Sequence, residues 1–126
     1  RKGKFTLVNF LALWCAPCRE EMPALARLGD KFAGRGLAVV AVNLGDKPDK
    51  IARFLRQVGP RELTGGLTVV LDTDGRTGRD WHVQGLPVTY LIDPDGKISH
   101  AAVGARDWSG EAAVDWFEKA LSQPAR

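Results

Sequence analysis

From Phe5 to Leu13 the chain is a nearly continuous apolar run, and across Trp14 it passes directly into Cys15-Ala16-Pro17-Cys18 and a charged segment that reads as helix. Apolar residues on consecutive rather than alternate positions mark a strand buried on both faces, which requires a parallel or mixed sheet with a layer on each side. A helix that begins at Cys15 sets its sulfur among N–H groups with no intrahelical partner, at the positive end of the helix dipole, where a thiolate is favoured. Cys18 lies one turn later on nearly the same face, about 5–6 Å away between Cα atoms and within reach of a disulfide. Pro17 suits the first turn, where its missing N–H costs nothing. A strand that delivers one activated, exposed sulfur and one resolving sulfur to a helix start is suited to thiol–disulfide exchange.

At 126 residues the chain is one α/β domain, residues 1–126. A chain of this size buries roughly two-thirds of its unfolded surface, so it needs neither metal nor disulfide to fold. The formal charge of +3 is spread along the sequence, and no Lys/Arg cluster with interleaved aromatics points to nucleic acid. No apolar stretch approaches the ~18 residues that span a bilayer. The chain starts at Arg1-Lys2-Gly3-Lys4, without Met and directly before a strand. Neither a signal peptide nor a presequence is visible. That start reads as a piece excised from a longer precursor, and targeting signals do not fix the compartment.

Ala16 to Ala33 reads as helix with Leu25, Leu28 and Phe32 inward. Pro23 falls inside it and is expected to kink it. Leu37 to Leu44 is a second buried strand. Asp46-Lys47-Pro48 supplies a cap and first-turn proline for a helix carrying Ile51, Phe54, Leu55 and Val58, stopped by Gly59-Pro60. Arg61 to Gly66 is loop, Leu67 to Leu71 a short strand, and Gly78 to His82 a brief helical turn. Val88 to Ile92 and Lys97 to Val103 form a hairpin around Asp93-Pro94-Asp95-Gly96. Ser109 caps a last helix with Ala113, Phe117, Ala120 and Leu121 inward. The order implies a central mixed sheet flanked by helices on both faces.

Three chemistries compete for a C-x-x-C pair. Zinc needs four ligands, usually a second close pair; the remaining soft or imidazole donors, His82 and His100, lie eighteen residues apart on different elements. A copper site of two Cys and a His meets the same shortage. A purely structural disulfide between residues three apart closes too short a loop to remove much unfolded-state entropy. Redox exchange remains, with the Cys15–Cys18 disulfide itself as the redox centre and no metal or other cofactor expected.

Val8-Asn9-Phe10-Leu11-Ala12-Leu13-Trp14-Cys15-Ala16-Pro17-Cys18-Arg19-Glu20-Glu21-Met22-Pro23 resembles the active-site segment of the TlpA/ResA/CcmG (DsbE) branch of the thioredoxin superfamily. Gly85-Leu86-Pro87-Val88-Thr89-Tyr90-Leu91-Ile92-Asp93-Pro94-Asp95-Gly96-Lys97-Ile98 resembles its second signature, about 70 residues later. The resemblance covers nearly the whole chain and implies a thioredoxin fold. It implies that Cys15 attacks, that Cys18 is buried and resolves, and that Trp14 shields the site. Pro87 would be a cis-proline packed beside the disulfide, with the backbone of Leu86 free to pair with an incoming peptide. Glu21, three residues after Cys18 and on its face, would either perturb the thiol pKa or carry a proton during resolution; the competing reading is a solvated charge, as for Glu20.

The resemblance further implies an extracytoplasmic (periplasmic) reductant of protein disulfides, membrane-tethered in its full form and supplied with electrons by a membrane thiol reductase; the chain itself is expected to be a monomer. Apocytochrome c or copper-site proteins are the implied clients. Thioredoxin itself has a buried Asp where this chain has Asn9, which cannot ionise, so proton transfer shifts to Glu21 or water. The usual Phe-Trp-Ala-x-Trp-Cys strand ending appears here as Phe10-Leu11-Ala12-Leu13-Trp14-Cys15. Ala16-Pro17 places no cation between the sulfurs, and each 1.4 kcal/mol of missing thiolate stabilisation lowers the potential by about 30 mV, which points to a reductant. Two other classes compete: a thiol peroxidase, whose reactive Cys follows a Thr-x-x motif absent before Cys15, and a non-catalytic partner-binding module, against which the intact C-x-x-C speaks. Asp72-Thr73-Asp74-Gly75 reads as a turn rather than a calcium loop. His82 reads as a surface or helix-end residue, and Trp81, Trp108 and Trp116 as packing residues.

Overall fold

The computed structural model describes residues 4–58 and 66–122; the expected Gly59-Pro60 stop and most of the Arg61–Gly66 loop fall outside them, as does the side chain of Val58. Five strands form one sheet: β1 (Phe5–Leu11), β2 (Leu37–Leu44), β3 (Leu67–Asp72), β4 (Val88–Ile92) and β5 (Ile98–Val103). Among the described residues four α-helices accompany them, α1 (Ala16–Phe32), α2 (Pro48–Val58), α3 (Arg76–Asp80) and α4 (Glu111–Ser122), with a 3-10 turn at Ala33–Arg35 after α1. The strand order is β3-β2-β1-β4-β5. β1 lies at the centre, parallel to β2 and antiparallel to β4, with β5 antiparallel to β4 at the far edge. The sheet is therefore mixed, as the apolar run in β1 requires.

Alternate residues of β1 feed two cores. Leu7 and Leu11 pack with Leu25, Leu28 and Phe32 of α1, Phe117 of α4 and Trp108, and Phe54 and Leu55 of α2 join this layer. Val8 and Phe10 turn to the opposite face, where Trp81 and Val83, just beyond α3, cover them with Tyr90. Trp81 contacts both Phe10 and Tyr90 at ring-centroid distances of 5.3 and 5.4 Å. Burying both faces of β1 this way is what makes its hydrophobicity continuous. The charged face of α1 stays outside while its Leu25–Leu28–Phe32 stripe is buried, and the helix runs on through Pro23.

Several boundaries differ from the sequence reading for local reasons. β1 stops at Leu11 rather than Leu13, because Cys15 N–H turns back to the Ala12 carbonyl at 3.1 Å and Leu13 N–H donates to Asp46 Oδ2 at 2.8 Å. Asp46 consequently does not cap α2; its carboxylate also accepts from Asn43 Nδ2 at 2.9 Å. Ser109 does not cap α4 either. Gly110 precedes the helix and its carbonyl takes the Val114 N–H, while Ser109 Oγ accepts from the Arg27 guanidinium. β5 begins at Ile98 because Lys97 closes the turn with Asp93. α3 starts two residues early, since Asp72 accepts from Thr77 N–H at 3.1 Å and Gly78 N–H at 2.9 Å. His82 falls just beyond it, exposed and at φ 56°. Trp81 is half-buried and Trp108 buried, and Trp116, 40% exposed, packs edge-on against His100 and Phe117.

Candidate active site

β1 ends beneath α1, and the turn between them carries the cysteines. Cys15 is the N-cap of α1, with extended backbone, and Cys18 sits one turn into the helix. Their sulfurs are joined, with Cα atoms 5.3 Å apart. Cys15 Sγ also accepts the Cys18 backbone N–H at 3.3 Å. That bond engages one of the free N–H groups of the helix start, and the same geometry would hold a thiolate once the disulfide opens.

Accessibility differs between the sulfurs by less than the sequence reading implies. Cys15 is 5% exposed and Cys18 fully buried, both within the core that includes Leu11, Met22 and Leu25. The expectation of an exposed attacking sulfur is thus corrected to a nearly covered residue, because Cys15 packs into the same core as Leu11, Met22 and Leu25. Trp14, in contrast, is 75% exposed and stands at the rim. Leu86–Pro87 is a cis peptide. Pro87 is buried, its carbonyl accepts from Gly104 N–H at 2.9 Å, and Leu86 packs against both cores.

Glu21 is not a solvated charge. It is 3% exposed, whereas Glu20 beside it faces solvent. Its Oε2 accepts from Arg106 N–H at 2.7 Å and from Trp108 Nε1 at 2.8 Å, and its Oε1 from Asn9 Nδ2 at 3.3 Å. Asn9 in turn donates to Thr89 Oγ1 at 2.9 Å, while its own Oδ1 is buried without a partner among the described residues. Burial pushes the Glu21 carboxyl above the usual carboxylate range. The donors from Arg106, Trp108 and Asn9 and the Arg106 charge offset this in part. The site thus holds a carboxyl whose ionised form is disfavoured one helical turn from Cys18.

In the sequence Trp108 reads as packing alone, and Arg106 carries no signal of a role. Both hold Glu21 from a loop some 85 residues away in sequence, a separation that no local pattern reveals. Arg19, which donates to the Leu13 carbonyl, and Asp46, on the Leu13 N–H, likewise carry no sequence signal as site supports. Together they fix the Leu13 peptide from both ends, just ahead of Trp14 and Cys15.

The AhpC/TSA family model matches residues 1–101. The chain is 41% identical over 126 residues to the thiol:disulfide interchange protein CycY of Rhizobium leguminosarum bv. viciae, covering 98% of this chain and 63% of CycY. It is 36% identical over 103 residues to the thiol-disulfide oxidoreductase ResA of Bacillus subtilis, covering 82% of this chain and 55% of ResA. A Chlorobium tepidum crystal structure described as a thiol:disulfide interchange protein DsbE superposes with a TM-score of 0.80 at 35% identity, covering 96% of this chain and 82% of that one. The fold is thioredoxin-like. The chain spans between half and two-thirds of the length of these two curated relatives.

Proposed function

The chain belongs to the AhpC/TSA family and, within the thioredoxin superfamily, to the branch that holds CycY, ResA and DsbE, and from that premise we propose that it is a thiol-disulfide oxidoreductase that reduces protein disulfides outside the cytoplasm. The observation that carries the reading is the Cys15–Cys18 disulfide at the mouth of α1, with Cys15 Sγ already accepting a helix N–H.

The reaction starts from the dithiol. The Cys15 thiolate attacks one sulfur of the partner's disulfide; a mixed disulfide forms and the partner's other sulfur leaves as a thiolate, which takes a proton. Cys18 then loses its proton and attacks Cys15 Sγ. The Cys15–Cys18 bond closes and the partner leaves as a dithiol, having gained two electrons and two protons. Glu21 receives the Cys18 proton in this reading, since Asn9 beside it cannot ionise. Trp14 shields the mixed disulfide, Pro17 sets the first turn of α1, and the Leu86 backbone pairs with the partner's chain beside Pro87. Restoring the dithiol requires a thiol donor; a membrane thiol reductase fits an extracytoplasmic site. Apocytochrome c and copper-site proteins, whose cysteines must be reduced before the cofactor is attached, are the proposed clients, and the chain acts on them as a monomer.

A Cys18→Ala variant tests this directly, because the mixed disulfide it forms cannot resolve. Incubated with extracytoplasmic extract, it should capture client proteins that dithiothreitol releases for identification by mass spectrometry. Equal capture by Cys15→Ser, or none by Cys18→Ala, contradicts the assignment. Consumption of hydrogen peroxide as fast as disulfide reduction would move the chain to the peroxidase class.

A further inference from the structure

Two grooves border α1, the helix that starts at the disulfide, and their charges differ. One, of about 400 Å³, runs along α1 from Pro17 and is mixed in sign: Glu20, Glu21 and Asp107 face Arg27 and Arg106. The other, of about 250 Å³, lies between α1 and α2 and is lined by Leu13, Arg19, Lys50, Arg53, Phe54 and Gln57. Among the described residues its lining holds three cations and no carboxylate. Lys50, Arg53, Phe54 and Gln57 fall at i, i+3, i+4 and i+7, one face of α2. Arg19 comes from the opposite wall, tied to the Leu13 carbonyl. The floor is apolar, with Leu13 and Phe54 both half-buried while the cations are exposed. Asp46, the carboxylate bonded to Leu13, is turned to Leu13 N–H and Asn43 and does not line the groove.

We propose that this groove docks an acidic segment of the partner polypeptide, one that lies beside the partner's reactive disulfide; the inference rests on the exchange function above. The groove's floor, Leu13, is separated from Cys15 by the exposed Trp14 alone. A partner chain whose sulfur reaches Cys15 can therefore extend into the groove. Asp or Glu side chains would meet the three cations, and apolar neighbours the Leu13–Phe54 floor. Unbalanced like charges converging on a cleft focus the field, which raises association rates for the complementary partner. The mixed groove on the other side offers no such discrimination.

Three disulfide peptides, identical except for flanking residues that are Asp/Glu, Asn/Gln or Lys, test the proposal by stopped-flow tryptophan fluorescence with the reduced protein. The acidic peptide should react about 10-fold faster than the neutral one at low ionic strength, the lower end of steering effects, and the advantage should shrink toward unity in about 0.5 M salt. Lys50→Glu/Arg53→Glu should reverse the ranking, and the milder Lys50→Gln/Arg53→Gln should level it. Lys97→Glu/Lys119→Glu, with the same change in net charge far from the groove, should leave the ranking in place. Equal rates within about twofold for all three peptides, or an acid preference that survives both groove variants, overturns the docking proposal while the exchange function stands. Failure of the reduced protein to react with any peptide overturns the exchange reading itself.

Discussion

Replacing Glu21 by Ala removes the carboxylate that ties α1 to the loop before α4. Trp108 Nε1–H and Arg106 N–H then lose their acceptor, whereas Asn9 keeps Thr89. A buried donor left unpaired costs about 1–3 kcal/mol. Trp108 is buried and meets that full range, but Arg106 lines the adjoining groove, where water can replace the lost bond. The expected loss is therefore about 2–3 kcal/mol, or roughly a 1–2 M lower urea midpoint for the oxidised protein. Glu21→Gln keeps an oxygen for both donors. Its new amide N–H can be met by turning the Asn9 amide, which moves the unpartnered position from Asn9 Oδ1 to Nδ2, so the loss should be smaller than for Ala, about 1–2 kcal/mol. The pH dependence gives a second reading. The folded state holds the Glu21 proton above the unfolded value of 4.5, so the parent loses stability as pH rises from there through the raised pKa, and the Gln variant lacks that slope. An Ala variant within about 0.5 kcal/mol of the parent, or a Gln variant as damaged as Ala, would refute the reasoning.

Gly29→Ala should cost about 1–3 kcal/mol in chemical denaturation, because a Cβ there would strike the backbone carbonyl of Gly66 at the entry to β3. Asp72→Asn should lower stability by about 1 kcal/mol through the start of α3. Burial opposes ionisation of Asp72, but the Gly78 and Thr77 N–H groups and the Arg79 charge outweigh it and lower its pKa. That stabilisation should be complete above pH 3.8 and vanish as pH falls through the depressed value. Trp14→Ala, at an exposed rim position, should change stability by less than about 0.5 kcal/mol. It should slow exchange with a protein disulfide more than with dithiothreitol, as compared in parallel kinetic runs.

Elements whose cues are local were legible in the sequence. β2 and β4 fall on the residues that their apolar runs mark, and Cys15 occupies the helix start that its spacing to Pro17 and Cys18 implies. Pro87 carried no local cue for its cis bond; the resemblance supplied it. Asp46 and Ser109 have the chemistry of helix caps, yet each is engaged by a distant or neighbouring group, Leu13 N–H in one case and Arg27 in the other. Glu21 shows the limit most clearly. Its sequence offers a solvated charge and a buried acid equally, and the choice is made by Trp108 and Arg106, which only the folded chain brings to it.

The most direct measurement is the rate of iodoacetamide alkylation of each sulfur in the reduced protein as a function of pH, read by peptide mass spectrometry. Cys15 should be modified first, with a midpoint below the ~8.5 of an unperturbed thiol, and Cys18 should follow only slowly. Modification of Cys18 ahead of Cys15, or a Cys15 midpoint at or above the unperturbed value, would contradict an attacking sulfur activated by the start of α1.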